Sequence, residues 1–364
     1  MNATDKLKFA LIGCGRIAGK HVDALTALEG ASLVAVCDIK FERAKAIADK
    51  LNIPAYRDYN EMLQKEQIDV VNILTESGTH AKLAVAVAEH KKHVVVEKPM
   101  ALTLSDADAM IQACDRNRVK LFVVKQNRYN KPVKKLREAV ESGRFGKLVL
   151  GTVRVRWCRR QEYYDQDAWR GTWAMDGGVF TNQASHHIDL LEWMMGEVVS
   201  VFAKTSTQLV DIETEDTGVA VLKFASGALG VVEATTATRP KDLEGSLSIL
   251  GEKGSVEISG FAVNEMRTWQ FTDLAEDDLK TMKEHNQNPP NVYGFGHFEY
   301  LKDVIDSVVN NKKALVDGLV GRKSLELINA IYESAETGKE VFLRFQPRLS
   351  RLGQHSLVEN KLEN

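Results

Sequence analysis

A doubly wound parallel α/β sheet, followed by an α+β domain on a large, mainly antiparallel open sheet, is the fold class that this sequence predicts. Three observations carry it. Up to about residue 125, short apolar and β-branched runs alternate with helical patterns. A glycine-rich turn joins the first of those runs to the first helical pattern. Beyond residue 142, most strand-like runs follow one another directly, separated by turns rich in glycine and serine. A chain of 364 residues is also long for one hydrophobic core, so two domains are expected. The expected division is 1–125, then 126–345, then a polar tail over 346–364.

The first element is the strand Lys8-Phe9-Ala10-Leu11-Ile12, and Gly13-Cys14-Gly15-Arg16-Ile17-Ala18 leads from it into a helical pattern reaching about Leu28. In this Gly-x-Gly-x-x-Ala turn, Gly13 permits the sharp bend and Gly15 lets a phosphate approach the backbone. Ala18 lets the helix lie close on the strand. Free amides at the helix start favour a pyrophosphate, so Gly13, Gly15, Arg16 and Ile17 are candidate cofactor contacts. The second strand, Ser32 to Cys37, ends in Asp38, twenty residues after Ala18, where a carboxylate accepts hydrogen bonds from ribose hydroxyls. Its charge repels a 2′-phosphate, which favours NAD over NADP. Lys40 and Arg43 on the next turn work against that preference.

The alternation continues with helices over 44–51 and 59–65, a strand over 70–74, and a helix over 81–89 capped by Thr79. Val94-Val95-Val96 then runs into Glu97-Lys98-Pro99. Proline has no N–H and biases Lys98 towards an extended backbone, so the ladder stops and the lysine is held at the sheet edge. A helix over 106–117, with Ser105 as cap and Asp108 in a capping box, and a strand over 120–124 complete the predicted six-stranded sheet. Thr75, His80, Glu97 and Lys98 follow strand ends, where the nicotinamide half of a cofactor would lie. Gln126 follows the last strand in the same way.

After a helix to about Ser142, strands are expected over 148–157, 199–207, 217–224, 228–237, 243–250 and 255–259. Leu229, Val231 and Glu233 alternate with Gly230, Val232 and Ala234, so the sheet is apolar on both faces for most of its length. That pattern predicts a homo-oligomer, a dimer or a tetramer. Between the first two of these strands, Asp176-Gly177-Gly178 opens a helical segment in which Asn182, His186 and Asp189 fall four and three residues apart, on one helix face. A neutral imidazole there suits removal of a hydroxyl proton, with a carboxylate or amide fixing its tautomer. His186 and His187 point about 100° apart on a helix, so they do not converge on one metal ion.

Arg154, Arg156, Arg159, Arg160, Tyr163, Tyr164, Trp169, Arg170 and Trp173 concentrate guanidinium and aromatic groups, and Arg128 lies upstream. Guanidinium forks suit carboxylates and phosphates, and aromatic faces suit sugars or bases. The functional reading is an anionic substrate that carries a ring, with Arg128, Arg156, Arg160, Tyr163 and Trp169 as candidate contacts. A solvated strand face of amphipathic side chains is the plainer alternative. Helices are expected over 293–310 and 321–338, with Tyr293, Gly294 and His297 at the start of the first.

Bulk properties restrict the function further. The net charge of -2 and the absence of a dense basic run give no electrostatic footprint for nucleic acid or an acidic membrane. Cys14, Cys37, Cys114 and Cys158 form no Cys-x-x-Cys pair and no Cys/His cluster at metal spacing. A reduced, cytoplasmic protein without bound metal is expected, with no signal peptide and no membrane span.

With Gly-x-Gly-x-x-Ala, the Glu97-Lys98-Pro99 strand end, and Gly-Gly followed by Asn182 and His186, the chain resembles the Gfo/Idh/MocA family of nicotinamide-dependent sugar oxidoreductases. The resemblance covers residues 6–345 and implies a Rossmann domain, NAD, and catalysis by Lys98, His186 and Asn182, with either Lys98 or His186 as the base and Asn182 orienting them or the substrate hydroxyl. The family commonly has an aspartate four residues before the histidine, whereas this chain has Asn182. Asn182 to Asp189, with the arginine-aromatic segment, resembles the branch that oxidises UDP-N-acetyl-glucosaminuronic acid at C3. That branch implies a UDP-sugar substrate, bound by Lys98, Asn182 and His186 among others, and a 3-keto product used in surface polysaccharide assembly. In some of its members 2-oxoglutarate reoxidises NAD in place. An inositol-type dehydrogenase and a non-catalytic nicotinamide-binding sensor are the alternative readings.

Overall fold

The computed structural model describes residues 6–260, 262–273, 275–285 and 296–343. Its first sheet is built from runs too apolar to face water on either side. In chain order the elements are β1 (Leu7–Ile12), α1 (Ala18–Ala27), β2 (Ala31–Cys37), α2 (Phe41–Leu51), β3 (Ala55–Tyr56) and α3 (Tyr59–Lys65). There follow β4 (Val70–Ile73), α4 (His80–Glu89), β5 (His93–Val96), α5 (Leu104–Arg116) and β6 (Leu121–Val123). The six strands pair in the order β3-β2-β1-β4-β5-β6, every pair parallel. Val94, Val95 and Val96 are fully buried, as expected for a strand covered by helices on both faces. Strand order reverses between β1 and β4, and ligands of such sheets bind in the crevice outside the strand ends at that point.

The cap of α5 is one of the corrections. Thr103, not Ser105, is the N-cap: its Oγ1 accepts from the Asp106 backbone N–H and donates to Asp106 Oδ2. Asp108 instead receives Arg322 at 2.5 Å. β3 has only two residues, too few to show an alternation in sequence.

The second sheet continues from α6 (Lys131–Glu141) through β7 (Leu148–Arg156), α7 (Gln161–Tyr164), α8 (Ser185–Met195), β8 (Val198–Ser206), β9 (Thr217–Phe224) and β10 (Leu229–Thr235). It is completed by β11 (Glu244–Gly251), β12 (Gly254–Ser259), β13 (Glu265–Phe271), α9 (Asp278–Glu284), α10 (Gly296–Val309), α11 (Gly318–Thr337) and β14 (Val341–Phe342). Its eight strands run β13-β12-β11-β7-β10-β9-β8-β14, all antiparallel except β7 with β10. β13 and β14 extend the sheet beyond the sequence expectation.

Strand parity divides this sheet into two faces. Val153, Val155, Val232 and Ala234 share one core with Ile188 and Leu191 of α8. The opposite face carries Phe202, Val221 and Leu229, between 41% and 50% exposed. α10 and α11 return towards the first sheet. Tyr300, Leu301 and Val304 of α10 pack with Phe9 and Leu25, and α11 contributes Leu325 to the β5–β6 side and Ile328 to the second-sheet core. Among the described residues, no helix is long and apolar enough to cross a membrane. Tyr293, Gly294 and the tail 346–364 lie outside the described residues.

Candidate active site

A cavity of about 790 Å³ lies against the carboxyl ends of β1, β2, β4 and β5 and reaches the start of α8. That volume is at the upper end of small-molecule sites.

At one end the glycine turn is shaped for a phosphate. Gly13 has φ +97°, and a Cβ there would lie 2.7 Å from the Leu74 carbonyl, so the position accepts no side chain. A Cβ on Gly15 would meet nothing within 4 Å, which leaves that backbone open for approach. Arg16 and Ile17 line the same end, and α1 begins at Ala18. Asp38 is held by two backbone donors, Cys14 N to Oδ2 at 2.8 Å and Lys40 N to Oδ1 at 2.7 Å. Lys40 and Arg43 also line this end. The open amides, the aimed carboxylate and the missing Cβ together fit a dinucleotide.

Asp38→Asn keeps an acceptor for Cys14 N while removing the charge. It is expected to improve NADPH binding relative to NADH about tenfold, roughly 1.4 kcal/mol, because Lys40 and Arg43 then face the 2′-phosphate unopposed. Titrations of the two reduced cofactors by fluorescence check this.

The middle of the cavity is the strand end that sequence pattern singles out. Thr75, Glu97, Lys98 and Gln126 all line it. Glu97 is 7% exposed, and its Oε1 lies 2.9 Å from His21 Nε2 and 3.6 Å from His297 Nε2. Burial pushes the Glu97 carboxyl up, but the two histidines outweigh it and hold the group well below the usual carboxylate range. His21, Glu97 and His297 offer ligand atoms within 4.8 Å of one another, a spacing that a metal ion can use. His21, however, spends both ring nitrogens on hydrogen bonds, Nδ1 accepting from Asn72 at 2.9 Å. Asn72, His21 and Glu97 form a hydrogen-bonded chain that fixes Glu97.

His80 is a correction. Its ring lies between the Pro99 and Thr75 carbonyls, at 2.8 and 3.0 Å, and is absent from the cavity wall. It ties two strand-end loops together behind the site.

Lys98 Nζ donates to the Asn182 carbonyl at 2.5 Å, and burial pushes its pKa down. Asn182 does not sit on the helix of His186. It belongs to a wide turn over Val179–Gln183, and α8 starts afterwards, so helical spacing does not relate the two residues. His186 is 8% exposed, and burial, followed by the charges of Lys98 and Lys125, pushes it well below the ordinary histidine range. Its Nδ1 is buried without a partner among the described residues, leaving Nε2 as the nitrogen open to the cavity. Asp189 does not serve His186. It is engaged by Arg128, Nε to Oδ2 and Nη2 to Oδ1, each at 2.8 Å, with Lys125 at 3.8 Å.

The guanidinium groups are redistributed as well. Arg128, bound to Asp189 and stacked 4.6 Å over Trp193, does not line the cavity. Neither does Arg156, which shares the open sheet face with Glu233 and Glu244 at 2.6 and 2.9 Å. Val153 and Val155 take the core side of β7, so alternation turns Arg154 and Arg156 away from α8. Arg160 is exposed outside the cavity. The cavity instead receives Arg159 and Arg170. Arg170 donates to Tyr163 Oη at 2.7 Å and lies over the Tyr163 and Trp169 rings at 4.6 and 4.4 Å. Tyr163 and Trp169 line the wall, as does Trp157. Asp176, Trp157, Arg159 and Arg170 were missing from the site read in sequence. Strand parity from Val153 and Val155 is the signal that separates Arg156 from Trp157.

A dinucleotide turn at one end, a lysine at the strand end in the middle, and an imidazole with a polar aromatic wall at the other end define a nicotinamide-dependent oxidoreductase. Residues 7–125 match the oxidoreductase family with the NAD-binding Rossmann fold, and residues 133–257 match the GFO/IDH/MocA C-terminal domain. The chain belongs to the GFO/IDH/MocA family. It is 30% identical to the myo-inositol 2-dehydrogenase of Thermotoga maritima, over 93% of this chain and 98% of that one. It is 42% identical to the WlbA dehydrogenase of Bordetella pertussis, solved with NADH and UDP-GlcNAcA, over 94% and 99% of the two chains, with a TM-score of 0.88. The WlbA dehydrogenase of Chromobacterium violaceum, also with NADH and UDP-GlcNAcA, is 42% identical over 95% and 98%, with a TM-score of 0.89.

Proposed function

We propose that this protein oxidises the C3 hydroxyl of UDP-N-acetyl-glucosaminuronic acid to the 3-keto sugar, in a cytoplasmic step of surface polysaccharide sugar synthesis. The observation that carries the reading is one continuous cavity with Asp38 at one end, Lys98 in the middle, and His186 with Arg170, Tyr163 and Trp169 at the other. The two 42%-identical neighbours, solved with NADH and UDP-GlcNAcA, supply the substrate class. The four free cysteines agree with a reducing compartment.

NAD, when bound, supplies the hydride acceptor. His186, neutral because it is buried beside cations, takes the hydroxyl proton at Nε2. Lys98 stabilises the negative charge that develops on the same oxygen. Asn182 orients Lys98 through its backbone carbonyl. Glu97, fixed by His21, holds a carboxylate next to the reacting region. The apolar open face of the second sheet is large enough in Phe202, Val219, Val221 and Leu229 to favour a homo-oligomer, a dimer or a tetramer. Reoxidation of the bound cofactor by 2-oxoglutarate belongs to the same proposal.

The inositol-type reading is favoured by the 30%-identical relative, and free polyols need no guanidinium-aromatic wall. A screen of UDP-sugars and free polyols for NADH formation, with and without 2-oxoglutarate, separates the two readings. Turnover of UDP-GlcNAcA is expected. Turnover of free sugars with none on any UDP-uronate would overturn the proposal.

A further inference from the structure

Asn182 holds two charged groups at once. Its backbone carbonyl accepts from Lys98 Nζ, and its side-chain amide donates to Asp176 Oδ1. Asp176 Oδ2 accepts from the Gly171 N–H at 2.9 Å, so both carboxylate oxygens are fixed. Asp176 is 2% exposed, yet it lines the cavity shared by Lys98 and His186. Both of its hydrogen bonds come from neutral amides. Of the other nearby carboxylates, Glu97 bonds His21 and the Lys98 backbone N–H while its charge also acts on Lys98, and Glu215 bonds Tyr332 and the Phe180 N–H. Where the family pattern has an acid, this chain has Asn182, whose amide is hydrogen-bonded to the carboxylate of Asp176.

We propose that Asp176 is a positioning residue that acts across Asn182 to keep Lys98 protonated during turnover, so that Lys98 supplies charge and His186 takes the substrate proton. The proposal rests on the roles given above to Lys98 and His186. Lys98 faces Glu97, Asp176, Lys125, Arg170 and His186, and Asp176 faces Lys98 and Arg170, with Glu215 behind it. Burial pushes Asp176 up to about 6, against its bond from Gly171 and the charge of Lys98, so the carboxylate is ionised above that pH. Burial pushes Lys98 down, and Glu97 and Asp176 oppose it. Removing the Asp176 charge therefore lowers the pH at which Lys98 loses its proton.

The test is competitive acetylation of Lys98 in the full chain with NADH bound, followed across pH by peptide mass spectrometry. Asp176→Asn is expected to move the Lys98 midpoint down by about one pH unit. The double variant Asp176→Asn with Asn182→Asp transposes acid and amide across the same hydrogen bond and is expected to restore the midpoint. The alkaline limb of kcat/KM is expected to move with it. An unmoved midpoint in an Asp176→Asn protein that still binds NADH overturns the proposal. Where that single variant no longer binds NADH, the double variant decides: a wild-type midpoint supports the proposal and a lowered one overturns it. Labelling needs no turnover, so a failure to oxidise UDP-sugars overturns the substrate reading alone.

Discussion

Lys98→Met is expected to lower kcat by about a thousandfold, roughly 4 kcal/mol of barrier, with little change in NADH affinity. The methionine keeps the length and apolar contacts of the side chain but removes the ammonium that meets the developing negative charge. It also releases the Asn182 carbonyl, which loses its donor at 2.5 Å. Because burial pushes Lys98 down, the wild-type enzyme is expected to lose activity as pH rises through that lowered value, and the Met variant is expected to lack this limb. Steady-state rates across pH, with NADH titration as a folding control, check both parts. Near-normal turnover in the Met variant would remove Lys98 from the mechanism.

His186→Asn is expected to cost about 10²- to 10⁴-fold in kcat, since proton removal by a positioned base is worth that much. A base works in its neutral form, so activity falls as pH drops through the base's own pKa. Burial and the charges of Lys98 and Lys125 push that pKa well below 6.5. Wild-type activity is therefore expected to persist below the pH at which an ordinary histidine would protonate, and the remaining activity of the Asn variant is expected to show no such acid limb. The pH dependence of kcat/KM for the two proteins is the measurement. Full activity in the variant would show that the substrate proton leaves by another route.

The two variants remove an ammonium and a neutral imidazole that line one cavity. Lys98 arrives on the end of β5, and His186 arrives on the first turn of α8. Their effects are expected to be far from additive, because each group works on the same oxygen.

Local pattern was sufficient wherever the physics is local. The Gly13–Ala18 turn, the acid at Asp38 and the Val94–Val96 run into Glu97-Lys98-Pro99 each depend on residues adjacent in sequence, and all three line up along one sheet edge. The period-two alternation of β10 likewise separated its two sets of side chains, though which set is buried came from the structure. Sequence failed where partners come from distant elements. Spacing joined Asn182, His186 and Asp189 as one helix face, but the wide turn at Val179–Gln183 breaks the period, and Arg128 claims Asp189. Arg156 ranks ahead of Arg159 and Arg170 as a contact in sequence, but strand parity sends it to the open face while the other two line the cavity.

By itself the sequence determined the dinucleotide turn, the strand that delivers Lys98 and the histidine segment, because backbone geometry and apolar periodicity are encoded within a few residues. Tertiary structure alone decided which charges face the cavity. Glu97 meets His21 and His297 across 76 and 200 positions, and Lys98 meets Asn182 across 84. A buried charge takes whatever partner packing brings to it, and its protonation follows from that partner and from lost water. No spacing rule in one segment contains that information.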